Sequence, residues 1–343
     1  MRHYLIILAI GLSSVPVGRT PPKAIFSALG LTPEETAAVD AGRPVAKVLA
    51  WGGASEVYVF GAVHVDGSRE TYLRGARDVR RLRATPGYLA VGELADEATV
   101  ADLDALEFEP DDLQALKSCR DGACDVQLPT TSIQAFHDAV DFSRADAAAQ
   151  ANAMARSMVL RLVRTYRDGG HHALGEYRDK RNPARVGEQF ETMIERASVL
   201  PDVLPELRQY LLHYPDARLT NADDFFYWEK VDFGLKPTVR VNHAVIYRGR
   251  ADGRDFGAVA IKQLYATHYF HTALDVSVCV DDGAAGPGFY LLTLKGSQQE
   301  GLTGVKGSIL RKVVTDKTRR SLETALASIK RSIEQPLAAN VSR

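Results

Sequence analysis

The last third of the chain joins consecutive β-type segments to one long amphipathic helix, and this combination restricts the folds open to it. The segments PTVRVNHAVIYRG, DFGAVAIKQLYATHYFHTALDVSVCVDD and GFYLLTLKGSQQ predict antiparallel strands, because they are rich in β-branched and aromatic residues and separated by glycine-rich loops. After Gly304, apolar residues recur at helical spacing as far as Ile333, with basic residues on the other face. Antiparallel sheets commonly bury one face. We therefore expect an α+β fold in which this helix packs on the sheet.

The remainder of the chain divides into segments of different character. A leader occupies residues 1–20, and residues 21–100 hold strands and short helices. Residues 101–228 are predicted to be helical, as an insertion or a separate lobe. The C-terminal strands and the closing helix occupy residues 229–335, and a tail follows at 336–343.

The leader, MRHYLIILAIGLSSVPVGRT, has the layout of a secretory signal peptide. Arg2 precedes a short apolar run, and small and turn-forming residues follow it. The run is shorter than the roughly 20 residues that span a bilayer. We expect export to the periplasm or the medium, with no transmembrane span in the mature chain. The alternative is a buried N-terminal helix or strand.

The three cysteines bear on the compartment. Cys119 and Cys124 lie in KSCRDGACDVQLP, where Gly122 would allow a small disulfide loop in an exported protein. In a cytoplasmic protein the same pair would be free thiols. Two further ligands at zinc-site spacing are missing nearby, and Cys279 falls in an apolar run typical of a buried side chain.

Composition and motifs exclude several classes of function. The net charge is −1, so no basic field favours nucleic acid as a partner. The sequence contains no G-x-S-x-G elbow, P-loop or dinucleotide fingerprint. No cofactor is therefore predicted.

The order of elements resembles that of the START-like (SRPBCC) superfamily. The resembling parts are VYVFGAVHVDGSRETYLRGARDVRRL and residues 237–334. The resemblance implies a helix-grip fold, in which an antiparallel sheet wraps a long C-terminal helix around an apolar cavity, and here a large helical insertion interrupts it. The segments KQLYATHYF and LKGSQQEGLTGVKGSILRK also resemble exported bacterial proteins, which implies no particular activity.

Histidines in two segments are candidate metal ligands. His268 and His271 lack both the glutamate and the four-residue spacing of the H-E-x-x-H signature, and the surrounding residues favour a strand. The adjacent His171 and His172 follow two glycines and are expected in a loop or at a helix start. No metal site is predicted.

Strand alternation selects candidate ligand-binding residues. If residues 265–271 continue one strand, Tyr265, Tyr269 and His271 share a face. With Tyr247 and Tyr290 they would line the cavity, their polar tips set in an apolar wall. The alternative is a polar row on the solvent face.

Three functions follow from these patterns. The first is binding of an apolar or amphipathic, lipid-like small molecule in the cavity. The second is a hydrolase or lyase that uses His271 or His268 as a general base. The third is an interaction module of the cell envelope whose helical middle contacts an unidentified protein partner.

Overall fold

The computed structural model describes residues 22–196, 204–251, 254–283 and 287–335. The leader and the tail predicted at residues 1–20 and 336–343 lie outside the described residues.

One eight-stranded sheet organises the fold, and every pairing between its neighbours is antiparallel. The strands of this sheet, in chain order, are β1 (Val45–Leu49), β2 (Glu56–Asp66), β3 (Tyr88–Leu94), β6 (Ala222–Val231), β7 (Thr238–Ala251), β8 (Arg254–Ala266), β9 (Phe270–Asp281) and β10 (Gly288–Gln299). Their spatial order is β1-β2-β10-β9-β8-β7-β6-β3. A small separate hairpin pairs β4 (Glu176–Tyr177) with β5 (Ala184–Arg185).

Helices precede, interrupt and follow this sheet. The α-helices of the described residues are α1 (Pro22–Ala28), α2 (Pro33–Asp40), α3 (Arg69–Arg77), α4 (Pro110–Leu116), α5 (Thr130–Ala139), α6 (Ala147–Gly169), α7 (Val186–Arg196), α8 (Pro205–His213) and α9 (Gly304–Glu334). A capping box formed by Thr32 and Glu35 begins α2. The helical middle ends at α8, and the boundary expected at residue 228 falls inside β6.

The C-terminal helix α9 packs on the sheet at β2 and β1. Leu322 and Leu326 are buried there, and a Cβ atom on Gly61 would lie 2.8 Å from a methyl group of each. Gly61 therefore allows the helix to approach β2 closely. Burying each leucine contributes about 2 kcal/mol. The predicted fold class, an antiparallel sheet with a long C-terminal helix packed on it, is confirmed.

The helices between β3 and β6, which are α4 to α8 and which we call the helical middle, lie on the opposite face of the sheet from α9. Along β2, Val59 joins the core beneath α9, whereas its neighbour Phe60 joins a second core with Phe190 and Leu207 of the helical segment. Since successive strand residues point to opposite faces, α9 and the helical middle sandwich the sheet. The middle segment therefore does not cover the side of the sheet on which α9 lies.

Cys119 and Cys124 form a disulfide with their Cα atoms 4.5 Å apart. Gly122, between them, has a φ of +76°, a conformation that glycine adopts without strain. Cys279 is a free thiol buried beneath α9. Among the described helices, none combines the length and the apolar character needed to cross a membrane.

Candidate functional site

Two ion pairs lie on the face of the sheet that α9 and α3 cover. The register of β6 and β7 places Glu229 opposite Arg240, and that of β9 and β10 places Asp275 opposite Lys295. Arg240 Nη1 donates to Glu229 Oε1 at 3.0 Å, and its Nε donates to Gln263 Oε1 at 2.9 Å. Lys295 Nζ donates to the Asp275 carboxylate. We call Glu229, Arg240, Asp275 and Lys295 the polar cluster.

The polar cluster is electrostatically coupled and balanced. Burial raises the pKa of Glu229, Arg240 offsets part of this shift, and Asp275 and Lys295 act on the same carboxyl with opposite signs. The four formal charges sum to zero. A ligand with a net charge would upset this balance in a region of low dielectric, whereas a neutral or zwitterionic polar group would not.

The covering helices leave part of this cluster accessible to solvent. Helix α9 covers β1 and β2, and α3 contacts β7, β8 and β9. Between them, the side chains of Asp275 and Lys295 remain 22% and 35% exposed although their strands lie inside the sheet. Glu229, by contrast, is only 2% exposed. We call this partly exposed strip of the sheet, between α9 and α3, the groove; the Glu229–Arg240 pair is buried on the same face.

Apolar side chains flank the charged pair in the groove. Across the sheet, Lys295 stands opposite Val59 on β2, which is fully buried beneath α9, and Asp275 stands opposite Ile261 on β8, which is only partly buried. Val314 of α9 is partly buried against the core on this side, as is Tyr72 of α3. A charged centre with apolar flanks is the arrangement that binds amphipathic molecules.

Tyr247 and Tyr290, two of the predicted ligand-binding residues, lie on the opposite face of the sheet. Tyr247 belongs to the core beneath the helical middle and packs edge-on against Phe256. The Tyr290 hydroxyl donates to Asp40 of α2 at 2.8 Å. The structure does not bring either tyrosine to the groove beside α9.

The assumption that residues 265–271 form one strand is wrong. Strand β8 ends at Ala266, and β9 begins at Phe270 after a turn in which Tyr269 has a φ of +65°. A register shift at Val241 also changes the phase of β8. Tyr265 therefore packs beside Tyr177 in the core beneath the helical middle, while the Tyr269 hydroxyl accepts from the Lys236 backbone N–H at 3.0 Å.

His268 and His271, the two histidines predicted as general bases, make different contacts in the structure. His268 uses both ring nitrogens, one against the Asp125 carbonyl and one against Asp112 Oδ1, each at 3.0 Å. It ties the β8–β9 turn to the helical middle. His271 packs near Tyr177, and its Nδ1 is buried without a hydrogen-bond partner among the described residues.

Because His271 is buried, we expect the protein to lose stability in acid. Burial lowers its pKa to about 4, so between pH 6.5 and 4 the unfolded chain binds a proton that the folded chain does not. Stability is then retained above pH 6.5 and lost as the pH falls, by up to about 3 kcal/mol. Urea unfolding of a His271→Gln variant should show a shallower decline over this interval. An unchanged decline would contradict this assignment.

Sequence reasoning missed a second cluster, centred on Lys262. Lys262 of β8 stands opposite His243 of β7 beneath the helical middle, and both are fully buried. His243 contacts Asp224 Oδ2 at 3.0 Å and the Tyr166 hydroxyl at 3.2 Å. Lys262 Nζ has no hydrogen-bond partner among the described residues and lies 3.6 Å from the centre of the Phe190 ring. The only sequence signal was a lysine inside the apolar run GAVAIKQL.

Comparisons with known proteins give little further support. No protein-family model matches the sequence, and no curated protein matches it. A solved structure of a START superfamily protein from Mycobacterium smegmatis is similar over 36% of this chain and 70% of its own, at 13% identity and a TM-score of 0.24. Similarity at this level carries no argument about function, so the function is argued from the groove itself.

Proposed function

We propose that this chain is an exported protein that binds a neutral or zwitterionic amphiphile in the groove between α9 and α3, on the face of the sheet that both helices cover. The polar head would contact the Asp275–Lys295 pair, and the apolar tail would lie along the partly buried Ile261 and Val314. The observation that carries the proposal is the partial exposure of a charged pair on two internal strands, between apolar neighbours.

The cost of burying charge supports a ligand-binding role for the cluster. Moving an ion pair out of water costs several kcal/mol, and apolar residues of similar size often stabilise a core as well or better. Two such pairs face the same side of one sheet, and one of them remains accessible. A site that recognises a polar head accounts for this arrangement better than a core built for stability.

Two observations support export. The leader has the layout of a signal peptide. The Cys119–Cys124 disulfide is of the kind that persists in oxidising compartments. Localisation in the periplasm or the medium remains a proposal, and N-terminal sequencing of the mature protein would test it.

Extraction and ligand titration test the binding function. Organic extracts of the purified protein should yield an amphiphile by mass spectrometry. Monoacylglycerol or lysophosphatidylcholine, added to delipidated protein below its critical micelle concentration, should raise Tm. At a ligand concentration of 100 times Kd the expected stabilisation is about 2.7 kcal/mol. An empty extract together with an unchanged Tm for both ligands would overturn the proposal.

A matched pair of variants locates the effect. Lys295→Met removes the exposed cation of the groove and should weaken binding about tenfold, which corresponds to about 1.4 kcal/mol. Lys47→Met is the control, because Lys47 is also 35% exposed and paired with a carboxylate, but lies on β1 beside α2. Equal affinities of the two variants would exclude Lys295 from the site.

A further inference from the structure

We propose that His171, His172 and Glu191 bind a divalent transition-metal ion, with Zn²⁺ as the best fit. Each residue offers one ligand atom, and the three atoms lie within 4.8 Å of one another. His171 Nε2 lies 2.8 Å from Glu191 Oε1. Ligand atoms around tetrahedral zinc are about 3.3 Å apart, given metal–ligand bonds of about 2.0 Å. Small side-chain rotations would therefore bring the three atoms into a zinc coordination sphere.

Glycines bring the three residues together. Gly170 ends α6 with a φ of +60° and turns the chain into the His171–His172 pair. At the start of α7, a Cβ atom on Gly187 would lie 2.7 Å from the His171 carbonyl oxygen. Gly187 thus lets α7 approach the histidines, and Glu191 follows one helical turn later on the same face. This close approach places Glu191 beside the adjacent histidines as a third candidate ligand, which the sequence alone did not reveal.

The environment of His171 distinguishes it from a histidine held only for structure. His243 and His268 each use both ring nitrogens in hydrogen bonds. His171 is buried, but its Nδ1 has no partner among the described residues. Within the described part of the chain, its Nε2 contacts only the Glu191 carboxylate, which is itself 44% exposed. Unlike those of His243 and His268, the two ring nitrogens of His171 are therefore not both held by hydrogen bonds to described residues.

The donor set determines which ion would bind. Two imidazoles and one carboxylate suit Zn²⁺ and related transition metals better than Ca²⁺ or Mg²⁺, which prefer oxygen ligands. His172 is exposed and Glu191 is half-exposed, so a fourth position would open to water. Since Phe190, beside Glu191, belongs to the core beneath the helical middle, this site lies across the sheet from the groove. Either site can exist without the other.

Metal titration of chelator-treated protein, made without a histidine tag, tests this site. Calorimetry with ZnCl₂ should show one ion per chain, and CoCl₂ should give the visible absorption bands of tetrahedral Co²⁺. His172→Ala and Glu191→Gln should each weaken Zn²⁺ binding at least tenfold. Both variants alter accessible side chains, and far-UV circular dichroism would verify their folds.

His213→Ala is the matched control, because His213 is an exposed histidine at the end of α8. It should bind Zn²⁺ with wild-type affinity. No zinc binding by the wild-type protein would overturn the site. Binding that survives both His172→Ala and Glu191→Gln would likewise overturn it.

Discussion

Lys262→Met is expected to raise the free energy of unfolding at pH 7 by about 2 to 4 kcal/mol. The Lys262 amine is fully buried and has no hydrogen-bond partner among the described residues, and leaving such a group unpaired in a core costs this amount or more. Methionine has a similar length and keeps the contact with Phe190. Urea unfolding followed by circular dichroism would measure the difference.

The size of this gain should depend on pH. Burial lowers the pKa of Lys262 well below its usual value. At pH values between the lowered pKa and about 10.5, the unfolded chain holds a proton that the folded chain has lost, so wild-type stability rises with pH. The advantage of Lys262→Met should therefore shrink by up to about 1.4 kcal/mol per pH unit as the pH rises. Lys47→Met should stay within about 0.5 kcal/mol of wild type throughout. A Lys262→Met variant less stable than wild type would contradict this account.

Arg240→Met is expected to lower the free energy of unfolding by about 3 to 5 kcal/mol. Glu229 is 2% exposed and accepts from Arg240 Nη1 at 3.0 Å, so removing the guanidinium leaves a buried carboxylate without its cation. Adding Glu229→Leu to this variant should recover most of the loss, because the unpaired charge is then removed.

Arg319→Met provides the comparison for Arg240. Arg319 pairs with Glu323 one turn along α9, and both side chains are about a third exposed. The loss there should be about 0.5 kcal/mol or less. Equal losses in the free energy of unfolding for Arg240→Met and Arg319→Met would contradict a buried, mutually stabilising Glu229–Arg240 pair beside the groove. A double variant in which Glu229→Leu recovers none of the loss would contradict it as well.

The architecture could be predicted because two periodicities are explicit in the sequence. Alternating β-branched residues predict β7 to β10, and the apolar repeat that includes Leu322 and Leu326 predicts α9 and its buried stripe. An apolar sheet face must be covered by another element, and α9 covers part of one face, at β1 and β2. The disulfide pair could likewise be proposed from the short Cys119–Cys124 spacing, and the structure pairs these two cysteines.

The facing of individual side chains could not be predicted, because it depends on register and on one turn. The turn at residues 267–269 and the register shift at Val241 change the strand phase, and a shift of one residue reverses every facing. The polar cluster depends on pairings such as Arg240 with Glu229, which the sequence does not specify. Lys262 points into a core where a strand lysine is expected to face solvent.

Photoaffinity labelling would test most directly whether the groove between α9 and α3 holds an amphiphile. A monoacylglycerol with a diazirine in its acyl chain would be bound to the delipidated protein, irradiated, and the labelled peptides mapped by mass spectrometry. We predict labels on peptides that contain Ile261 or Val314, and their suppression by excess unlabelled ligand. Labels confined to the helical middle, or spread over the surface and insensitive to competitor, would contradict the binding site proposed here.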